Sequence, residues 1–261
     1  MGAFRLCIGQ SPAELSTTAA RLEWLRNILP EAASKQTDLL LLPELFATGY
    51  YIGDQIAARA EPVDGPTAQT IAALAQAHNI AIHYGFAETD GQNTFNAAQC
   101  FGPNGMRLGG HRKLAIPPGF ESDQFKRGEG CSLFIYRGLR IATLICYDAE
   151  FPETARHVSE MGAELILVPT ALGVQWDWVS KTMIPTRAYE NGVFLAYANS
   201  AGTENGMAFL GQSFIAAPNG KELARAEASP QLIYAELKRD EVTKAQNRLP
   251  YLNDLKMLKR R

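Results

Sequence analysis

Apolar positions in this chain fall into two patterns. Short dense runs rich in Leu, Ile and Val predict buried strands: "FRLCIG" at 4–9, "DLLLLPE" at 38–44, "IAIHYGFAE" at 80–88, "ELILVPT" at 164–170 and "VFLAYANS" at 193–200. Between them, helical spacing predicts amphipathic helices. One covers 13–29, with Leu15, Leu22, Leu25 and Leu29 as its apolar set. Another is "GPTAQTIAALAQAHN" at 65–79, opening on Pro66 and Thr67, and a third is "FPETARHVSEMGA" at 151–163, with Pro152 in its first turn. A further helix at 176–192 is interrupted at Pro185. Residues 93–113 read as a hairpin turning at "GPNG", "CSLFIY" and "RIATLIC" as paired strands, and 207–226 and 231–238 as closing hairpin strands.

The mixture of strand–helix–strand units with hairpins predicts large sheets covered by helices, an α/β class with layered α+β character. No linker or low-complexity segment interrupts it, so residues 1–261 read as one domain, with about 240–261 as a C-terminal arm. The loop at 115–130 is longer than a plain connector needs, which favours a functional role.

Composition narrows the function classes. A formal net charge of −2, with Lys and Arg scattered apart from the terminal "KMLKRR", gives no footprint for nucleic acid. No apolar run approaches the roughly 20 residues that span a bilayer. The start lacks a signal peptide's apolar region, and Leu6 stands where a myristoylation pattern after Gly2 wants Ser or Thr, so a cytoplasmic protein is expected. Four cysteines far apart, Cys7, Cys100, Cys131 and Cys146, suggest neither a disulfide framework nor structural zinc. No metal and no cofactor is expected.

"TLICYDAEFPE" at 143–153 ends a strand on Cys146 and surrounds it with acidic and aromatic residues, with no histidine beside it. Taken alone, such a cysteine is more often core, but a turn follows instead of more core. Carboxylates disfavour a thiolate, so a nucleophilic Cys146 needs a base and a compensating cation. Glu44, at the mouth of "LLLLPE", is a candidate base, because semi-apolar surroundings raise a carboxyl's pKa. Lys113, where "GGHRK" meets the long loop, is a candidate cation. Each alone also fits a surface residue. His111 as the base of another kind of cysteine hydrolase is a weaker alternative.

The motifs "LLPELFATGY", "HRKLAIP" and "LICYDAEFPE", in this order and spacing, resemble the nitrilase (carbon–nitrogen hydrolase) superfamily, and the likeness extends to "GAELILVPTA", "RAYENGVFLAYANSAG" and "GQSFIAAPNG". The resemblance implies a four-layer αββα sandwich assembled as a homodimer or higher homo-oligomer. It makes Glu44 the general base, Lys113 the stabiliser of the tetrahedral intermediate, Cys146 the nucleophile and Glu121 a second, positioning glutamate. The sequence "CYD" resembles the amidase and carbamoylase branches, but Glu150 stands where those branches often carry arginine. An amine-bearing substrate follows as the expectation, with Glu150 as its partner or, equally, as a helix N-terminal charge. Tyr50, Tyr147 and Trp176 are candidate pocket residues, Trp176 equally a core residue. The expected activity is hydrolysis of a small aliphatic amide, in the manner of 5-aminopentanamidase. An N-carbamoyl-amine hydrolase of the N-carbamoylputrescine amidase type is the alternative, and a catalytically silent binding protein a lesser one.

Overall fold

The computed structural model describes residues 3–258. Its strands are β1 (Phe4–Gln10), β2 (Leu39–Leu41), β3 (Ala81–Thr89), β4 (Thr94–Phe101), β5 (Arg107–Arg112), β6 (Leu133–Tyr136), β7 (Leu139–Thr143), β8 (Leu165–Pro169), β9 (Phe194–Ala198), β10 (Ala201–Glu204), β11 (Met207–Leu210), β12 (Phe214–Ala216), β13 (Glu222–Arg225) and β14 (Gln231–Leu237). The helices are α1 (Thr18–Ser34), α2 (Gln55–Arg59), α3 (Pro66–His78), α4 (Phe120–Gln124), α5 (Pro152–Glu160), α6 (Ile184–Asn191), α7 (Asp240–Arg248) and α8 (Tyr251–Met257).

The described residues form one six-stranded sheet in the order β14-β1-β2-β3-β4-β5, a second in the order β13-β12-β9-β8-β7-β6, and the small β10-β11 hairpin. In each large sheet the centre is parallel, β1-β2-β3 and β7-β8-β9, and the outer strands are antiparallel. Parallel strands are buried on both faces, which is why these segments read as continuous apolar runs.

Side-chain alternation builds the layers. Leu6, Ile8, Leu39 and Leu41 meet Ile141, Leu165, Leu167 and Phe194 in a core between the sheets. The intervening Cys7, Leu40 and Ile82 face outward onto Leu22, Leu25 and Leu29 of α1 and Ala68, Ile71 and Ala75 of α3. On the other side, Ile166, Val168, Leu195 and Tyr197 pack on Ala155 and Val158 of α5 and Ile184 and Ala188 of α6. The layers are therefore helix, sheet, sheet, helix, and the α/β layered expectation holds.

Several boundaries differ from the sequence reading. Helix α1 begins at Thr18, because the Thr17 hydroxyl caps it by accepting from Ala20 N at 3.1 Å. Leu15 lies outside it, and the preceding segment is held by Ala13 N donating to Ala201 O. The long loop contains α4, and β7 ends at Thr143, three residues before Cys146. Residues 174–191 form a 3₁₀ turn, a π turn and then α6, whose first turn accommodates Pro185. The C-terminal arm folds into α7 and α8; Lys259, Arg260 and Arg261 of the basic end, like Met1 and Gly2, lie outside the described residues. No helix among the described residues is long and apolar enough to cross a membrane.

Candidate active site

Four sequence-selected side chains meet beyond one end of the two sheets. Glu44 sits in the turn after β2, Lys113 directly after β5, Glu121 on α4, and Cys146 in a 3₁₀ turn three residues past β7. The turns after β2 and β8 meet where Glu44 N donates to Thr170 O, just past β8, at 3.4 Å, and Leu144 N donating to Leu167 O at 3.0 Å continues the β7–β8 pairing toward Cys146. Lys113 N donates to Asn96 O at 2.8 Å, extending the β4–β5 pairing by one step.

Lys113 is fully buried, as are Glu44 and Glu121. Its Nζ donates to Glu44 Oε1 at 2.7 Å and to Glu121 Oε1 and Oε2 at 3.0 and 2.8 Å. Tyr50 Oη donates to Glu121 Oε1 at 2.7 Å. Two carboxylates and one ammonium out of contact with water leave excess negative charge. Burial pushes Glu44 up to about 7, against the lowering influence of Lys113. Burial by itself favours the neutral amine at Lys113, but the charges of Glu44 and Glu121 outweigh it and raise its pKa, so the cation persists. Glu44 Oε2 has no hydrogen-bond partner among the described residues. A buried carboxylate with one oxygen tied to a lysine and the other free is fit to accept a proton.

Cys146 has φ +46°, a left-handed conformation uncommon for a side-chain-bearing residue, and such conformations cluster where a side chain must be presented. Burial raises its thiol pKa, Glu44 raises it further and Lys113 opposes both, so the resting sulfur carries its proton. It borders a cavity of about 430 Å³ lined by Pro117, Phe120, Leu172 and Met207, together with Glu121.

All four candidate pocket residues line this cavity. Tyr50 is buried and bonded to Glu121, while Tyr147 stacks edge-on with Phe151 at 5.0 Å between ring centroids. Trp176 is 58% exposed in its 3₁₀ turn, so it is not a core residue. Glu150 is half-buried, and its carboxylate accepts no hydrogen bond from the described residues. Burial raises its pKa, and Lys113 and Arg187 counter this. It precedes the α5 N-cap residue Phe151, so it does not cap that helix.

Asn96 escaped the sequence reading. Its Nδ2 donates to Glu44 Oε1 at 2.7 Å and Glu121 Oε2 at 3.3 Å, joining the two carboxylates from β4. The available signal was an asparagine inside a strand, flanked by Phe95 and Ala97, where asparagine is disfavoured. His111 does not join this cluster; its Nε2 lies 2.9 Å from Asp148 Oδ2.

A sequence model described as carbon-nitrogen hydrolase matches residues 5–247. The chain belongs to the carbon-nitrogen hydrolase family. It is accordingly a hydrolase acting on carbon–nitrogen bonds, of the nitrilase-superfamily amidase group. It is 41% identical to a Pseudomonas protegens protein named "Hydrolase in pqqF 5'region", over 96% of this chain and 88% of that one. It is 33% identical to an (R)-stereoselective amidase from a Pseudomonas species, over 92% and 87%. Among solved structures, a glutamate-to-glutamine mutant of the amidase from Nesterenkonia sp. AN1 superposes with a TM-score of 0.82 at 28% identity, covering 97% of both chains. That structure shows covalent addition of the acetamide moiety of fluoroacetamide at the active-site cysteine. In this chain the Glu44–Lys113–Glu121 cluster lies beside Cys146.

Proposed function

We propose that this hydrolase cleaves a small aliphatic amide, by preference an ω-amino amide, to carboxylate and ammonia through a thioester on Cys146. The observation that carries the reading is the buried Glu44, one oxygen on Lys113 and the other free, with the protonated Cys146 thiol within the field of its charge.

Glu44 Oε2 takes the thiol proton as Sγ bonds to the amide carbon. The carbonyl oxygen becomes an oxyanion, stabilised by Lys113 Nζ and the backbone N–H of Tyr147. At rest Nζ contacts Glu44 Oε1 and both oxygens of Glu121, and giving up one of the two Glu121 contacts frees a donor for the oxyanion while the other holds the lysine. The carbon–nitrogen bond breaks, the nitrogen recovers the proton from Glu44, and ammonia leaves. Water then attacks the thioester, giving its proton to Glu44. The carbon–sulfur bond breaks, and the sulfur takes that proton from Glu44, which restores the thiol and the carboxylate. Glu121, held by Tyr50 and Asn96, keeps Lys113 in place throughout.

The apolar cavity walls suit an aliphatic chain, and the unpartnered Glu150 carboxylate suits an ammonium at its far end. The test is an assay of matched ω-amino amides, neutral amides, N-carbamoyl amines and nitriles, with ammonia and carbon dioxide measured together. Ammonia alone, released fastest from ω-amino amides, is the expected result. Equimolar carbon dioxide would assign an N-carbamoyl-amine hydrolase instead, and turnover by a Cys146→Ala variant would overturn the mechanism.

A further inference from the structure

Asp148 is fully buried, two residues past Cys146, and belongs to neither the charged cluster nor the cavity wall. Its carboxylate collects four donors from two distant parts of the chain. Oδ1 accepts from Leu114 N at 2.9 Å and Ala115 N at 2.7 Å, the two residues that follow Lys113. Oδ2 accepts from Ile145 N at 3.0 Å, the residue before Cys146, and lies 2.9 Å from His111 Nε2, two residues before Lys113. Asp148 N in turn donates to Ile145 O at 2.9 Å, closing the tight turn that gives Cys146 its left-handed conformation.

The strands that carry these segments lie in different sheets: β5 edges the first and β7 belongs to the second. Strand hydrogen bonding therefore fixes neither segment against the other. Apolar packing between sheets is non-directional, whereas hydrogen bonds to a charged acceptor set angle and distance. The geometry points to Asp148 as a positioning residue that locks the Lys113 segment to the Cys146 turn and so sets the cation against the nucleophile and base.

This inference rests on the reading of Glu44, Lys113 and Cys146 given above, and its test separates the two. Lys113 lowers the pKa of Glu44, so a loosened Lys113 segment lets Glu44 rise. In Asp148→Asn, two of the four donors face an amide NH₂ and the other two keep an acceptor that has lost its charge. The expected result is a kcat at least tenfold lower per titrated active-site thiol, measured well below the variant's Tm, with KM within about threefold of wild type. The acid limb of kcat/KM is expected to move to higher pH. Should Asp148→Asn not fold, His111→Leu removes one donor only and is expected to shift the limb the same way by less, while His111→Gln, which restores an N–H, recovers it.

A lower Tm with kcat per site and the acid limb both unchanged would overturn the positioning role and leave a structural one. Wild-type enzyme without an acid limb, or an active Cys146→Ala variant, would instead remove the mechanism on which the inference stands.

Discussion

Gly85 lies flat against the turn that carries Glu44. A Cβ on Gly85 would stand 2.4 Å from Leu45 N, 2.8 Å from Pro43 O and 2.9 Å from Glu44 Cα. Glu44 is thus seated on strand β3 through a backbone contact that tolerates no side chain, and Ala47 N donating to Gly85 O at 3.0 Å closes the same contact.

Gly85→Ala should therefore displace Glu44, the proposed base, without changing its chemistry. Overpacking of this kind costs about 1–3 kcal/mol, a Tm loss of several degrees. Misplacement of a catalytic group by about 1 Å can cost on the order of a hundredfold. Thermal melts and kcat measured together check this, with Gly130→Ala, whose added methyl meets nothing within 4 Å, as the control expected to behave as wild type.

Glu44→Gln should lower kcat/KM by at least about a hundredfold, the usual scale for a lost general base. In the proposed mechanism the active form is the carboxylate, so with Glu44 raised to about 7 activity should fall as pH drops through that value. The variant's residual activity should lack this limb. A pH–rate profile of both proteins decides it.

Asn96→Ala removes a donor that helps hold the Glu44 carboxylate ionised. The acid limb should shift to higher pH, and kcat near neutrality should drop several-fold, while Cys146 remains open to alkylation. An unshifted limb would show that Asn96 only fills space.

Glu150→Gln keeps the shape of the cavity wall and removes its charge. If the substrate carries an ammonium there, KM for ω-amino amides should rise about tenfold, the lower end for a hydrogen bond to a charged group because the site is half-solvated. Neutral amides of equal length should be unaffected. Equal effects on both would take Glu150 out of substrate recognition.

His83 is buried against Thr143, with its Nε2 2.9 Å from the hydroxyl, and burial, reinforced by His111, lowers its pKa to about 3. The unfolded chain takes up this proton near the ordinary value of about 6.5. The contribution to stability is therefore complete above that pH and is lost as pH falls toward 3, by roughly 1.4 kcal/mol per unit. Glu44, raised on folding, works in the opposite sense between its own two values. The Tm difference between wild type and His83→Gln should consequently move in the variant's favour as pH falls from 7 to 4.

The layered fold was legible because parallel strands covered on both faces must be apolar throughout, and helices packed on them must show a stripe. Glu44, Lys113 and Cys146 were legible for a related reason: each ends a run the pattern identifies, and such ends converge in this class of fold. Local pattern placed the Leu15 end of α1 wrongly, because a threonine cap outweighed an apolar residue. It could not show that β14 pairs with β1 more than 200 positions away, since pairing depends on which edge is left open.

The chemical state of the site belongs to the tertiary structure alone. That Glu44 keeps one oxygen free, that Asn96 joins two carboxylates, and that Asp148 ties two sheets together depend on atoms brought within 3 Å or so from segments tens of residues apart. The sequence determined which groups carry charge and where each strand delivers them. Burial and distance, which exist only once the sheets are stacked, decided which of those charges persist and what they can do.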